Sequence, residues 1–249
     1  MFETEIKVYL KGNGFETFDP KAVLFDMDGV LFNSMPLHAR SWNRSMASFG
    51  IAMSEAEAYE FEGMRGVETI RTLCRRQWRR EISDKEAEEM YAVKSRMFAA
   101  QPEAEKIEGV ERLMHTIKDG GLKISIVTGS GQHTLLDKLE TAFPNLLDRS
   151  LIVTAFDVKN GKPAPDPYLM GMRKCGVEPW QTIVVENAPL GVQAAVAARC
   201  FTIAVNTGPL PDKMLADKGA NLVFKNMNQL HDVWHFIVSN LTNSEHGHI

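Results

Sequence analysis

"VLFDMDGV", residues 23 to 30, joins three apolar residues to two carboxylates separated by a single position. Val23, Leu24 and Phe25 read as the end of a short buried strand, which stops at Asp26, Met27, Asp28 and Gly29. Residues i and i+2 of an extended chain share a face, so Asp26 and Asp28 point together into the crevice beyond the strand. Two carboxylates this close repel each other unless a cation or a shared proton compensates. A plain turn is the competing reading, because Asp and Gly both favour turns.

The same apolar signal recurs downstream in "LKISIVTGSG", "SLIVTAF", "QTIVVENA", "CFTIAVNTG" and "NLVF". Helical patterns lie between most of these runs. "GVERLMHTIKDGG" places Val110, Leu113, Met114 and Ile117 on one face and ends at a Gly pair; "HTLLDKLETAF" and "DPYLMGMRKCG" read similarly. Strands alternating with helices predict an α/β fold, a Rossmann-like and mostly parallel sheet covered on both sides. Ligands of such sheets sit outside the carboxyl ends of the strands. From Ser34 to Ala100 the alternation breaks into helical patterns alone: "MPLHARSWNRSMASFG", "SEAEAYEFEG", "VETIRTLCRRQWRR" and "SDKEAEEMYAVKSRMFAA". The expected division is a first core piece over 1–33, with an N-terminal extension of unassigned purpose. A helical cap follows over 34–100 and the rest of the core over 101–249. Ser34 and the segment 101–106 are the expected hinges.

Other strand ends carry polar groups too. Thr128 follows "ISIV" and opens a Gly-Ser-Gly loop containing Ser130. A hydroxyl and backbone N–H groups at a helix start suit a phosphate. Lys162 stands in "GKPAP", where prolines stiffen the backbone behind its ammonium, and Glu186 and Asn187 end "IVVEN" with oxygen ligands. Acid pair, hydroxyl, ammonium and acid–amide can together hold Mg²⁺ and a phosphoryl group.

The 249 residues carry a net charge of −4, which argues against a nucleic-acid partner. No apolar run reaches a membrane span, and the N-terminus does not read as a secretory signal. Cys74, Cys175 and Cys200 are far apart and odd in number, which reads as reduced structural thiols and a cytoplasmic setting. "RRQWRR" reads as a solvated helix face balanced by the acids after it, and "TNSEHGHI", with His246 and His248, as a frayed tail. The expected partner is a small phosphorylated substrate or pyrophosphate, and the chain a monomer or weak oligomer.

"DMDGV", "VTGSG", "KPAPDPY" and "ENAPLGVQAA", in this order, resemble the four motifs of the haloacid dehalogenase superfamily, and the helical insert resembles the small cap of its β-phosphoglucomutase-like branch. The resemblance spans roughly Lys21 to Phe224. It implies that Asp26 is the nucleophile, taking the phosphoryl group as an aspartyl phosphate, and that Asp28 protonates the leaving oxygen and then activates water. It implies Mg²⁺ held by the Asp26 carboxylate, the Asp28 carbonyl, Glu186 and Asn187. Thr128 and Lys162 would hold the phosphoryl oxygens. Halide-removing members usually lack the second Asp, so Asp28 favours phosphoryl transfer.

The chain departs from the family pattern in two places. Asn187 stands where a second acid is usual, leaving the metal site one charge short. In the cap loop "EGMRG", Glu62 stands where the sugar-phosphate mutases have a Lys; their phosphate-gripping Arg falls near Gly66, with Arg65 out of register. These departures suggest that Glu62, on cap closure, supplies the carboxylate that position 187 lacks, for a small anionic substrate that travels with Mg²⁺. Inorganic pyrophosphate fits that description. The chain also resembles the pyrophosphate-hydrolysing members of the branch over nearly its whole length, through "LFNSMP", "VTAFDVK", "VVENAPLGV" and "FTIAVNTGPL". A solvent-facing Glu62 is the alternative. His38 and Trp42 share a helix face, and His38 either orients Asp28 or packs under the cap. The alternatives for the whole chain are a sugar-phosphate phosphatase or β-phosphoglucomutase, and a non-catalytic phosphate-binding module.

Overall fold

The structure, a computed structural model, describes residues 2–130 and 135–239. Its described residues form a parallel five-stranded sheet: β1 (Ala22–Phe25), β2 (Lys123–Ile126), β3 (Thr182–Glu186), β4 (Phe201–Val205) and β5 (Leu222–Phe224), in the order β2-β1-β3-β4-β5. β1, β3 and β4 are buried at every position, as strands covered on both faces must be. The two-residue period divides β1 between two clusters. Val23 and Phe25 pack with α6 (Val110–Asp119) and α11 (Met227–Ser239); Ala22 and Leu24 pack with α8 (Asp166–Cys175) and α9 (Pro189–Ala197). The chain leaves β1 for β2 on one side and β3 on the other, so β1 is the switch point where a crevice opens.

The helical face expected of "GVERLMHTIKDGG" forms as read, with Val110, Leu113, Met114 and Ile117 fully buried. "HTLLDKLETAF" is helical over α7 (Leu135–Ala142), its first residues lying outside the described ones. "SLIVTAF" differs from expectation. It begins as a 3₁₀ turn, Arg149–Leu151, and touches the sheet through one bridge, Val127 to Val153. The Asp157 carboxylate accepts from the Thr154 N–H and hydroxyl at 2.7 and 2.9 Å, folding the chain away before a strand can extend.

Residues 35–99 build α2 (Met35–Ser48), α3 (Glu55–Glu60), α4 (Gly66–Trp78) and α5 (Asp84–Ala99), with no strand among them. These helices enclose a cluster of their own, centred on Met46, Ile70, Leu73 and Cys74. Ser54 with Glu57, and Ser83 with Glu86, form capping boxes at the starts of α3 and α5. The two segments joining this cap to the core run side by side: Asn33 N–H donates to Glu105 O at 2.8 Å and Ile107 N–H to Leu31 O at 2.9 Å. The arginines of "RRQWRR" pair with acids, Arg75 with Glu81, Arg76 with Glu57 and Arg80 with Glu86.

The N-terminal extension forms α1 (Glu3–Asn13), which the sequence reading left unassigned. Tyr9 is buried against Phe18 and Phe201, ring centroids 5.5 and 5.3 Å away, and its hydroxyl lies 2.9 Å from Arg199 O and 3.0 Å from Pro179 O. The three cysteines are buried free thiols. Among the described residues no helix is long and apolar enough to cross a membrane. The tail with His246 and His248 lies outside them.

Candidate active site

Asp26 is the residue after β1, its N–H donating to Val185 O at 3.0 Å, and its carboxylate is buried beside Lys162. Lys162 bridges two acids: it is ion-paired with Asp26 and lies 2.6 Å from Glu186 Oε1. Burial opposes charge on this lysine, but the two carboxylates raise its pKa regardless and keep it an ammonium. Asp26 is pushed the other way, up to about 7. Burial is the largest cause; Lys162 opposes it, and Glu186 and Asp28 add to it.

Glu186 is fully buried and its oxygens are occupied. Oε1 accepts from Lys162 and from the Tyr168 hydroxyl, both at 2.6 Å; Oε2 accepts from the N–H groups of Asn187 and Ala188 at 2.9 and 3.1 Å. A carboxylate has about four acceptor directions, so this one is saturated by protein donors. A Cβ on Gly191 would fall 1.7 Å from Glu186 Oε1, so only glycine at the start of α9 lets the carboxylate fold back onto the helix N-terminus.

Asp28 faces the cap. Its Oδ1 accepts from Ser34 Oγ at 2.6 Å and lies 3.3 Å from His38 Nε2. Burial would raise its pKa, but His38, through its hydrogen bond and through its charge whenever the ring is protonated, together with the Ser34 hydroxyl and the charge of Lys94, outweighs it and lowers it to about 2. His38 is stacked on Phe98 with centroids 3.9 Å apart, and its Nδ1 lies 2.6 Å from Lys94 Nζ. Burial lowers the His38 pKa, and on the neutral ring Nδ1 accepts from the ammonium while Nε2 carries the proton toward Asp28. Lys94 is buried in the cap with its ammonium over the Trp42 and Phe98 rings, and burial lowers its pKa to about 8. Sequence reasoning missed Lys94. The spacing of Tyr91, Ser95 and Phe98 around it, four residues and then three, marks a helix face but gives no sign of a buried cation.

The cap loop brings Glu62 into the same site. Both its oxygens lie 3.2 Å from Asn187 Nδ2, and it is buried rather than solvent-facing. Burial first, then the charges of Asp26, Glu186 and Asp28, raise its pKa well above the usual carboxylate range. Gly29 lies directly beneath: a Cβ there would meet Asn187 Nδ2 at 2.0 Å, and Thr207 Oγ1 fixes the turn by donating to Gly29 O at 2.6 Å. Thr128 is buried at the end of the β2 segment, and its Oγ1 accepts from the Ser130 N–H at 3.1 Å. Arg65 turns away from the aspartates, donating from Nη1 to Lys159 O at 2.8 Å.

Two features fit a hard divalent cation here. Asn187 Oδ1 is buried without a hydrogen-bond partner, and several carboxylates crowd around one bonded ammonium. Among the described residues no three His, Cys, Asp or Glu side chains form a metal cluster by themselves, since Glu186 is turned onto Lys162 and an amide stands at 187.

Residues 23–205 match the family of haloacid dehalogenase-like hydrolases. The chain belongs to that family. It is 31% identical to hexitol phosphatase A of Escherichia coli over 75% of its own length and 83% of that protein's. It is 28% identical to the phosphorylated carbohydrates phosphatase of Thermotoga maritima, over 82% and 94%. A provisionally named β-phosphoglucomutase structure from Bacteroides vulgatus superimposes with a TM-score of 0.93 at 48% identity, covering 97% of this chain and 98% of that one. The protein is thus a hydrolase of this family on a Rossmann-like core, with phosphatases among its relatives and a β-phosphoglucomutase-like structural neighbour.

Proposed function

We propose that the chain is an Mg²⁺-dependent phosphohydrolase that works through an aspartyl phosphate on Asp26, and that its preferred substrate is inorganic pyrophosphate. Asp26 attacks phosphorus, while Lys162 and Thr128 hold the phosphoryl oxygens and offset the charge that moves onto them. The bound cation would screen the substrate's anionic charge, held by Asp26, the Asp28 carbonyl, Asn187 and Glu62. Asp28, kept ionised by His38 and Ser34, draws a proton from the water that attacks the aspartyl phosphate, and the acid so formed gives that proton to the leaving oxygen of the next turnover. Glu186 acts as counter-ion and brace for Lys162.

The observation that carries the substrate assignment is the buried contact of Glu62 with Asn187. It adds a carboxylate to the site from the cap, where a sugar phosphate would instead need a cation. The neighbouring position also supports it. A Cβ on Gly66 would lie 2.0 Å from the Tyr91 ring, so this packing has no room for a phosphate-gripping Arg there. That weighs against mutase activity, and the assembled Asp26, Lys162 and Thr128 weigh against a non-catalytic module. The second reading, a sugar-phosphate phosphatase, is favoured by the names of the curated relatives, which concern hexitol and carbohydrate phosphates. A panel of pyrophosphate, hexitol phosphate and hexose phosphates with Mg²⁺ decides between them. The proposal expects the highest kcat/KM for pyrophosphate; a hexitol or hexose phosphate turned over more efficiently refutes it.

A further inference from the structure

Two glycines of the core, Gly161 and Gly208, lie in different loops of the crevice rim. Neither has the left-handed φ that calls for glycine. A Cβ has no room at Gly161, and at Gly208 it fits only if the cap gives by a few tenths of an ångström. At Gly161 it would lie 2.7 Å from Cγ of Arg65, and at Gly208 it would lie 3.1 Å from the ring of Tyr59. Both obstacles belong to the cap, to the loop and helix end that also carry Glu62. The cap therefore rests on bare backbone at two places, and it is held at the first by the Arg65 hydrogen bond to Lys159 O. Between Arg65, Gly63, Thr128 and Lys162 the remaining cavity is about 10 Å³, about the space of one water.

We propose that Gly161 and Gly208 are specificity-determining seats for the cap, and that Arg65 is the latch on the first of them. Their missing side chains set how deeply the cap loop descends, and so how large a leaving group the closed site admits. Arg65 thus binds no phosphate; its stem seats on Gly161 and its guanidinium holds the Lys159 carbonyl, which fixes the depth of the cap loop. This inference rests on the aspartyl-phosphate reading of the site but not on pyrophosphate as the substrate.

The test compares Gly161→Ala, Gly208→Ala, Arg65→Ala and the pair Gly161→Ala/Arg65→Ala in the full chain. Substrates are acetyl phosphate, a small phosphoryl donor, and a hexitol phosphate, a bulky one, both with Mg²⁺. Each glycine variant should lose about tenfold in kcat/KM on acetyl phosphate, with less loss on the hexitol phosphate, so that the bulky-to-small ratio rises several-fold. Small-angle scattering should show a larger radius of gyration for both. Cutting Arg65 back removes the obstacle, so Gly161→Ala should cost less than threefold in the Arg65→Ala background. Variants that melt like the parent yet keep its ratio and radius overturn the inference, as does an equal cost of Gly161→Ala in both backgrounds. If parental turnover of both substrates survives Asp26→Asn, the aspartyl-phosphate reading fails and this inference falls with it.

Discussion

Removal of Glu62 tests whether the cap completes the metal site. A carboxylate about 4 Å from a charge, at an effective dielectric constant of about 20, is worth up to about 4 kcal/mol per unit charge. Solvent entering the space left by Glu62→Ala would replace part of that. A net loss of about 2 kcal/mol, or about 30-fold weaker Mg²⁺ binding, is the expected result by calorimetric titration. Asn187→Asp sets a second carboxylate where the amide now lies 3.2 Å from both Glu62 oxygens. Without metal the two acids repel, so this variant should melt lower than the parent but gain more from added Mg²⁺. With that charge in place Glu62 becomes partly redundant, and Glu62→Ala should then weaken Mg²⁺ binding only about threefold. The non-additivity is the signature of a shared site. A 30-fold loss that persists in the Asn187→Asp background, or no loss in the parent, would refute the reasoning.

Three further outcomes are expected. Lys94→Met removes a cation that lowers the Asp28 pKa and the donor that sets the His38 tautomer; Asp28 then titrates higher, so the acidic limb of the kcat profile should move up in pH and kcat should fall about tenfold. Asp26 sits near 7 and Glu62 well above its usual value, both through burial and like charge, so a cation binds their ionised forms best; the Mg²⁺ half-saturation concentration should fall as pH rises from 6 to 8. Tyr9→Ala, far from the aspartates, should destabilise the fold by about 3–5 kcal/mol in chemical denaturation and leave kcat unchanged, marking α1 as a structural clasp.

The strands of the core and three of the four core motifs were legible because those at Asp26, Thr128 and Glu186 end apolar runs whose ends the sheet gathers into one crevice, while Lys162 reaches it from a loop before α8. The cap helices were legible from periodicity. "SLIVTAF" misled because its composition suits a strand, while a local carboxylate turn, invisible to composition, diverts the chain. Glu186 reads in sequence as a metal ligand; only the fold reveals that Lys162, Tyr168 and two backbone amides fill its oxygens. Lys94 and the two glycine seats were hidden for a related reason. Their significance lies in contacts between segments distant in the chain, and neither a buried lysine nor a crowded glycine has a local sequence signature.

The most direct test of the central claim is to trap the phosphorylated enzyme. The protein, in excess over ³²P-labelled substrate with Mg²⁺, is quenched in acid within milliseconds, digested, and its labelled peptide identified. The account predicts hydroxylamine-labile label on the peptide containing Asp26, lost in Asp26→Asn together with turnover. Substrate cleavage at an undiminished rate in Asp26→Asn, or label on a different residue, would contradict it.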